Sequence, residues 1–260
     1  MNIEFHKYHG TGNDFVLIDN RDLSFPKNNS SFIKKMCHRR FGIGADGLIL
    51  LQNNKGFDFE MVYFNADGKP GSMCGNGGRC TVAFAHSLGL IKNKTKFIAV
   101  DGIHEAVIQK EIISLKMANV KGIEKIGNSF FVNTGSPHYV KFVDDVEKID
   151  VVKEGKKIRY NARFKKEGTN VNFVELKSNT LHIRTYERGV EDETLSCGTG
   201  VTASALVAAF VSSHFKTKQF LISTPGGKLK VSFSQKSPIE FTDVWLHGPA
   251  IAVYKGVYNL

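Results

Sequence analysis

The 260-residue chain carries 42% hydrophobic and 23% charged residues with 25 glycines and 6 prolines. That composition excludes a disordered or collagen-like chain and leaves room for one large domain or two of about 130 residues. A net charge of +10 raises nucleic acid as a partner, but the basic residues fall in short groups beside expected turns (Asn93–Lys96, Gly155–Arg159, Arg163–Lys166) without a zinc-finger, RNP or helix-turn-helix signature, so none is expected.

In chain order, the start MNIEFHKYHGTGNDF has neither a long apolar run nor a small-residue cleavage site. No later stretch reaches the ~18 apolar residues of a membrane span, so a cytoplasmic protein without a membrane partner is expected. Apolar alternation predicts strands at Asp14–Ile18, Gly47–Leu51, Phe57–Phe64, Lys96–Val100 and Glu105–Gln109. Further strands are predicted at Asn172–Leu176, Leu181–Tyr186, Phe220–Ser223, Lys228–Phe233 and Ile251–Tyr254. A helix is expected over Ser31–Arg40, with Phe32, Ile33, Met36 and Cys37 on one face and Gly42 as its stop. Two more are expected over Gly75–Leu88 and Gly198–His214, both apolar nearly all round and therefore buried.

Those last two helices sit in matching contexts. Tyr63 pairs with Tyr186, Cys74 with Cys197 and Phe97 with Phe220, each 123 positions apart. A long period occurring twice argues for two related domains rather than a solenoid. The expected fold class is α+β, with two pseudo-symmetric domains, each a curved mixed or antiparallel sheet wrapped around a central apolar helix. The expected division is an N-terminal domain over residues 1–117, completed by 249–260 and carrying Cys74, and a C-terminal domain over 118–248 carrying Cys197.

Cys37, Cys74, Cys80 and Cys197 form no C-x2-C pair and lack an export signal, so thiols rather than disulfides or a metal site are expected. Cys37 and Cys80 read as small buried hydrophobes. Cys74 and Cys197 stand at equivalent glycine-flanked helix starts, where backbone N–H groups favour a thiolate and attract a carboxylate. Inverting a stereocentre needs a base on one face of a carbon and an acid on the other, and two thiols near neutrality can supply both. Such chemistry requires no cofactor.

HGTGNDF at His9–Phe15, GIGADGL at Gly42–Leu48, FNADG at Phe64–Gly68, MCGNGGRC at Met73–Cys80 and YERGVEDETLSCGTG at Tyr186–Gly200 together resemble the diaminopimelate epimerase family over nearly the whole chain. The resemblance implies epimerisation of LL-2,6-diaminopimelate to the meso form, in lysine and peptidoglycan precursor synthesis, by a homodimer. It implies that Cys74 and Cys197 are the acid and base, with His138 and Glu187 important to catalysis. It implies substrate contacts from Asn13, Asn65, Gly75, Asn76, Asn170, Glu187, Arg188, Gly198 and Thr199. On residue chemistry alone, Asn13 also reads as a turn residue, Glu187 and Arg188 as a surface pair, and His138 as a satisfied histidine beside Pro137. Either Asn170 or Asn172 points inward, with Asn170 favoured. The chain departs from many members at Ser136, where they carry asparagine, and from some at Gly47, where they carry glutamine. Proline racemase-type proteins also use two cysteines, but Asn76 and Glu187-Arg188-Gly189 suit a substrate with a second ammonium-carboxylate end.

Overall fold

The computed structural model describes residues 2–212 and 218–259. The chain divides into two compact units, Met1–Leu115 with Gly248–Leu260, and Lys116–His247. The first holds β1 (Asn2–Gly10), β2 (Asn13–Asp19), α1 (Ser30–Cys37), β3 (Gly47–Gln52), β4 (Glu60–Asn65), α2 (Gly75–Ser87), β5 (Lys94–Ala99), β6 (Gly102–Gln109) and β7 (Ile112–Lys116). The second holds β8 (Val120–Lys121), β9 (Glu124–Ile126), β10 (Ser129–Asn133), β11 (Pro137–Phe142), α3 (Val151–Arg159), β12 (Asn170–Lys177) and β13 (Thr180–Glu187). It continues through β14 (Asp192–Thr194), α4 (Gly198–Val211), β15 (Gln219–Thr224), β16 (Gly227–Ser237) and β17 (Glu240–Pro249), after which β18 (Ile251–Asn259) returns to the first unit.

Both units repeat one pairing scheme. In the first, β18, β1, β2, β3, β4, β5, β6 and β7 are neighbours in that order, with β2–β3 and β4–β5 parallel and the other pairs antiparallel. In the second, β9, β10, β11, β12, β13, β15, β16 and β17 follow in order, with β11–β12 and β13–β15 parallel. This is a mixed-sheet α+β architecture, as the periodicities indicated.

Helices cover both faces of each sheet, and so the strands next to them are apolar on both sides. Every residue of β3 is buried. Leu48 and Leu50 pack with Phe32, Ile33 and Met36 of α1, while Ile49 lies under Gly77 of α2. In the second unit Val171 and Phe173 pack with Val151 at the start of α3, and Val174 joins Val201, Leu206 and Val207 of α4. Burying one such side chain contributes about 1.5–3 kcal/mol, so α2 and α4, which are buried along most of their length, anchor their units. Among the described residues no helix is long and apolar enough to cross a membrane.

Several expectations need correction. Helix α1 stops at Cys37 rather than Arg40, because the following loop folds back and the amides of Ile43 and Ala45 take the carbonyls of Met36 (2.8 Å) and Cys37 (3.0 Å). Strand β4 begins at Glu60 rather than Phe57; just before it the Asp58 carboxylate accepts from Thr95 Oγ1 (2.7 Å) and Lys96 N (2.9 Å). The Gly155–Arg159 group lies in α3, a helix missed because its face is mostly polar, although Asp150 caps it by accepting from Lys153 N (3.0 Å). The expected end of α4 at His214 lies outside the described residues.

The 123-residue spacing is not uniform either. It holds from β2–β3 to β11–β12, since Phe15 opposes Gly47 and His138 opposes Asn170, and it holds at both helix starts. Between them it slips. Leu48 opposes Phe64, whereas Val171 opposes Tyr186, one position earlier in the repeat. A one-residue slip turns side chains to the other face. Tyr63 accordingly stacks edge-on with Phe15 on the α2 side, while Tyr186 packs in the α3 cluster. The hairpin after the helix turns two positions later in the second unit, at Thr224 and Gly227 against Ala99 and Gly102, so Phe97 and Phe220 are not structural equivalents.

Candidate active site

Cys74 and Cys197 are the N-cap residues of α2 and α4, with near-identical extended backbones (φ −112°, ψ 121° and φ −115°, ψ 111°). At an N-cap the first-turn amides have no intrahelical acceptor, which leaves donors and the positive end of the helix dipole beside each sulfur. Cys37 and Cys80 differ. Burial pushes the Cys37 thiol up to about 12 and raises that of Cys80 as well, which suits inert packing.

In the first unit, Cys74 Sγ donates to Asn13 Oδ1 (3.4 Å), which also accepts from Asn76 Nδ2 (3.3 Å). The Asn13 amide is oriented by Asp46, whose carboxylate accepts from Nδ2 at 2.6 Å. Asn76 is fixed in turn by Arg79, which donates to its Oδ1 at 2.9 Å. The Arg79 guanidinium is fully buried and also reaches the Gly75 carbonyl (3.4 Å), Thr11 Oγ1 (3.4 Å) and the Pro249 carbonyl (3.5 Å). Burial lowers its proton affinity. Cys74, Asn13, Gly75 and Asn76 therefore form one hydrogen-bonded group. Asn65 stands at the end of β4 opposite Gly47. A side chain at Gly47 would meet the Tyr63 ring at 2.4 Å, so the tyrosine occupies the space a glutamine would need.

In the second unit, Cys197 Sγ lies 3.6 Å from Thr199 Oγ1, whose hydroxyl is 2.9 Å from His138 Nε2. Thr134 Oγ1 donates to the Thr199 carbonyl (2.9 Å) and pins the helix start. His138 is completely buried; burial, aided by the Arg188 charge, holds its pKa down at about 3, so the ring is neutral. Asn170 donates to Ser136 Oγ (3.0 Å) and the Pro137 carbonyl (3.1 Å), and accepts from Arg188 N (2.9 Å). Ser136 thus keeps a polar contact at this position. Asn172 is turned under α4, bonded to His138, Tyr139 and Thr185. Glu187 Oε2 accepts from Thr194 Oγ1 (2.9 Å), and Arg188 is exposed, donating to the Glu167 carbonyl (2.8 Å).

Sequence reasoning missed Asp46, Arg79, Thr134 and Thr185, and it favoured Asn170 over Asn172. Arg79 alone carried a signal, a lone charge in an otherwise apolar helix. Among the described residues no cluster of three or more His, Cys, Asp or Glu side chains is placed to hold a metal ion.

The sequence profile of diaminopimelate epimerase matches residues 5–121 and 130–244. The chain belongs to the diaminopimelate epimerase family. It is 54% identical to the diaminopimelate epimerase of Flavobacterium psychrophilum over 255 residues, covering 97% of this chain and 99% of that one. It is 42% identical to the diaminopimelate epimerase of Aquifex aeolicus, covering 98% and 97%. Among solved structures, a phenazine biosynthesis protein of the PhzF family from Bacillus anthracis superposes with a TM-score of 0.76 at 13% identity, covering all of both chains. A hydroxyproline epimerase from Agrobacterium vitis gives 0.70 at 12%, covering 98% and 92%. At such identities these neighbours share the fold with the diaminopimelate epimerase family member described here, and nothing finer follows from them.

Proposed function

We propose that the chain epimerises LL-2,6-diaminopimelate to meso-diaminopimelate by cofactor-independent proton transfer between Cys74 and Cys197. The observation that carries this reading is the pair of N-cap cysteines at equivalent helix starts in a chain of the diaminopimelate epimerase family. The substrate's α-carboxylate takes the first-turn amides of Gly75–Asn76 and Gly198–Thr199, whose partial positive charge also stabilises the carbanion as the α-proton leaves. One sulfur, as thiolate, removes that proton; the other, as thiol, delivers a proton to the opposite face. The roles exchange for the reverse reaction.

Arg188 binds the distal carboxylate as a fork, Glu187 accepts from an ammonium, and Asn13, Asn65 and Asn170 serve either group. His138 supports Cys197 through Thr199. The reaction supplies a precursor of lysine and peptidoglycan in the cytoplasm. The active form is a homodimer, a reading supported by the exposed apolar residues Ile251, Val253, Tyr254 and Val257 along β18. The test is to incubate the reduced chain with LL-diaminopimelate and, separately, L-proline, and to resolve the stereoisomers. Meso-diaminopimelate and unchanged L-proline are expected; no meso product with all four thiols titrating as free would overturn the proposal.

A further inference from the structure

In the second unit, a chain of side-chain hydrogen bonds runs from the sheet to Cys197, and its donor order can be worked out group by group. The Tyr139 carbonyl accepts from the Asn172 amide at 3.1 Å, which identifies that atom as Nδ2; Thr185 Oγ1 donates to the Oδ1 of the same amide at 3.0 Å. Nδ2 also faces His138 Nδ1 at 3.2 Å. An NH2 group can only donate, so Nδ1 must be the bare nitrogen of the neutral ring and Nε2 must carry the hydrogen. Nε2–H then donates to Thr199 Oγ1 at 2.9 Å, which leaves the threonine hydroxyl hydrogen to point elsewhere, and Cys197 Sγ lies 3.6 Å away.

We infer that Asn172 is a positioning residue: by holding His138 as the Nε2–H tautomer, it makes the Thr199 hydroxyl a donor to Cys197 and so favours the thiolate form of that sulfur. With the other tautomer, the hydroxyl would turn its hydrogen toward the ring and its lone pair toward the sulfur, which favours the thiol. Asn172 is completely buried and its three contacts leave it one orientation. Gly200 belongs to the same device. A methyl group there would sit 2.4 Å from Asn172 Oδ1 and 3.3 Å from His138 Cε1, so α4 can cover the relay only with glycine at this turn. The significance for catalysis rests on the epimerase reading; the hydrogen-bond order does not.

The test uses the full chain, reduced, and no substrate. Histidine labelled with ¹⁵N reports the tautomer directly, with the His138 signals among the nine histidines assigned by their loss in His138→Gln. A neutral Nε2–H ring at pH 7 is expected; an Nδ1–H ring or an imidazolium would overturn the inference. Iodoacetamide alkylation followed by peptide mapping then gives the pH profile of each cysteine. A hydrogen bond to a charged group is worth about 10-fold or more. Asn172→Leu and Thr199→Val should therefore each slow Cys197 alkylation at pH 7 by about 10-fold and move its profile to higher pH, with the double variant no slower and Cys74 unchanged. An unshifted Cys197 profile in folded Asn172→Leu would overturn the inference. If that variant does not fold, the wild-type tautomer and Thr199→Val decide. Failure of the epimerase assay with the expected tautomer and profiles would count against the activity and leave the relay standing.

Discussion

The two helix starts share a backbone and a cysteine but are floored differently. Beneath Gly77 lie Ile49, Met61 and Phe15, all apolar; beneath Gly200 lie Asn172 and His138. With the one-residue slip taken into account, the pair Ile49 and Tyr63 in one unit becomes Asn172 and Thr185 in the other. The first unit carries its polar group in the helix instead, as the buried Arg79, where α4 has Thr202. Even so, both side chains return to the carbonyl four residues back, Arg79 to Gly75 (3.4 Å) and Thr202 to Gly198 (2.9 Å). The duplication kept the geometry that places a sulfur ahead of a helix dipole and changed how hydrogen-bond donors reach it. One sulfur has a buried cation nearby, the other a neutral relay.

The sharpest way to break this comparison is to remove either sulfur. Cys74→Ala and Cys197→Ala should each lower epimerisation by about 10²–10⁴-fold, the usual worth of a general acid or base; a chiral product assay showing one variant fully active would mean the sites are not partners. Next in size, Arg79→Met should destabilise the first unit by roughly 1–3 kcal/mol in urea unfolding, because the Asn76 amide oxygen and neighbouring carbonyls lose a buried donor. Thr202→Val at the equivalent place in α4 should cost less.

Acid should separate the units as well. The folded protein keeps His138 neutral down to about 3, mainly through burial, whereas a free histidine binds a proton near 6.5. The unfolded state then binds more protons across that window. This contribution is complete above about 6.5 and declines as pH falls toward about 3, with a slope of up to about 1.4 kcal/mol per pH unit. Unfolding free energies at pH 7, 6 and 5 should show a shallower decline for His138→Gln. The smallest effect belongs to Asp14. Burial alone would raise its pKa, but bonds from Arg39 and Lys7 outweigh that and hold it at about 2. Its stabilisation is present above about 4 and is lost as pH falls through about 2. Arg39 is largely solvent-exposed, so screening reduces the gain to the order of 1 kcal/mol, measurable as the difference between wild type and Asp14→Asn at pH 5 and pH 2.

What was legible in the sequence follows the same division. The cysteines, their flanking glycines and the two buried helices could be read directly, because a helix without a polar face and a glycine-rich start are local signals. Strands β1, β7, β8, β9, β10, β11, β14 and β17 were not marked: β1 breaks its alternation at a bulge between Lys7 and Tyr8, β8, β9 and β14 are only two or three residues long, and β11 opens on Pro137. The slip between Tyr63 and Tyr186 was invisible because matching letters do not report strand register. Asn172 could not be told from Asn170 for the same reason. Two residues apart, they share a sheet face, and only the helix packed over Asn172 draws it into the relay. Arg79 stood out as a lone charge in an apolar helix, but its role did not, because its four acceptors come together only in the folded unit.

The most direct test of the two-thiol account is the isotope content of product formed early from protiated LL-diaminopimelate in D2O. Separate donors predict meso product fully deuterated at the inverted carbon, with recovered LL substrate still protiated. Meso product that retains the original proton would mean a single group carries it from one face to the other, and the account would be wrong.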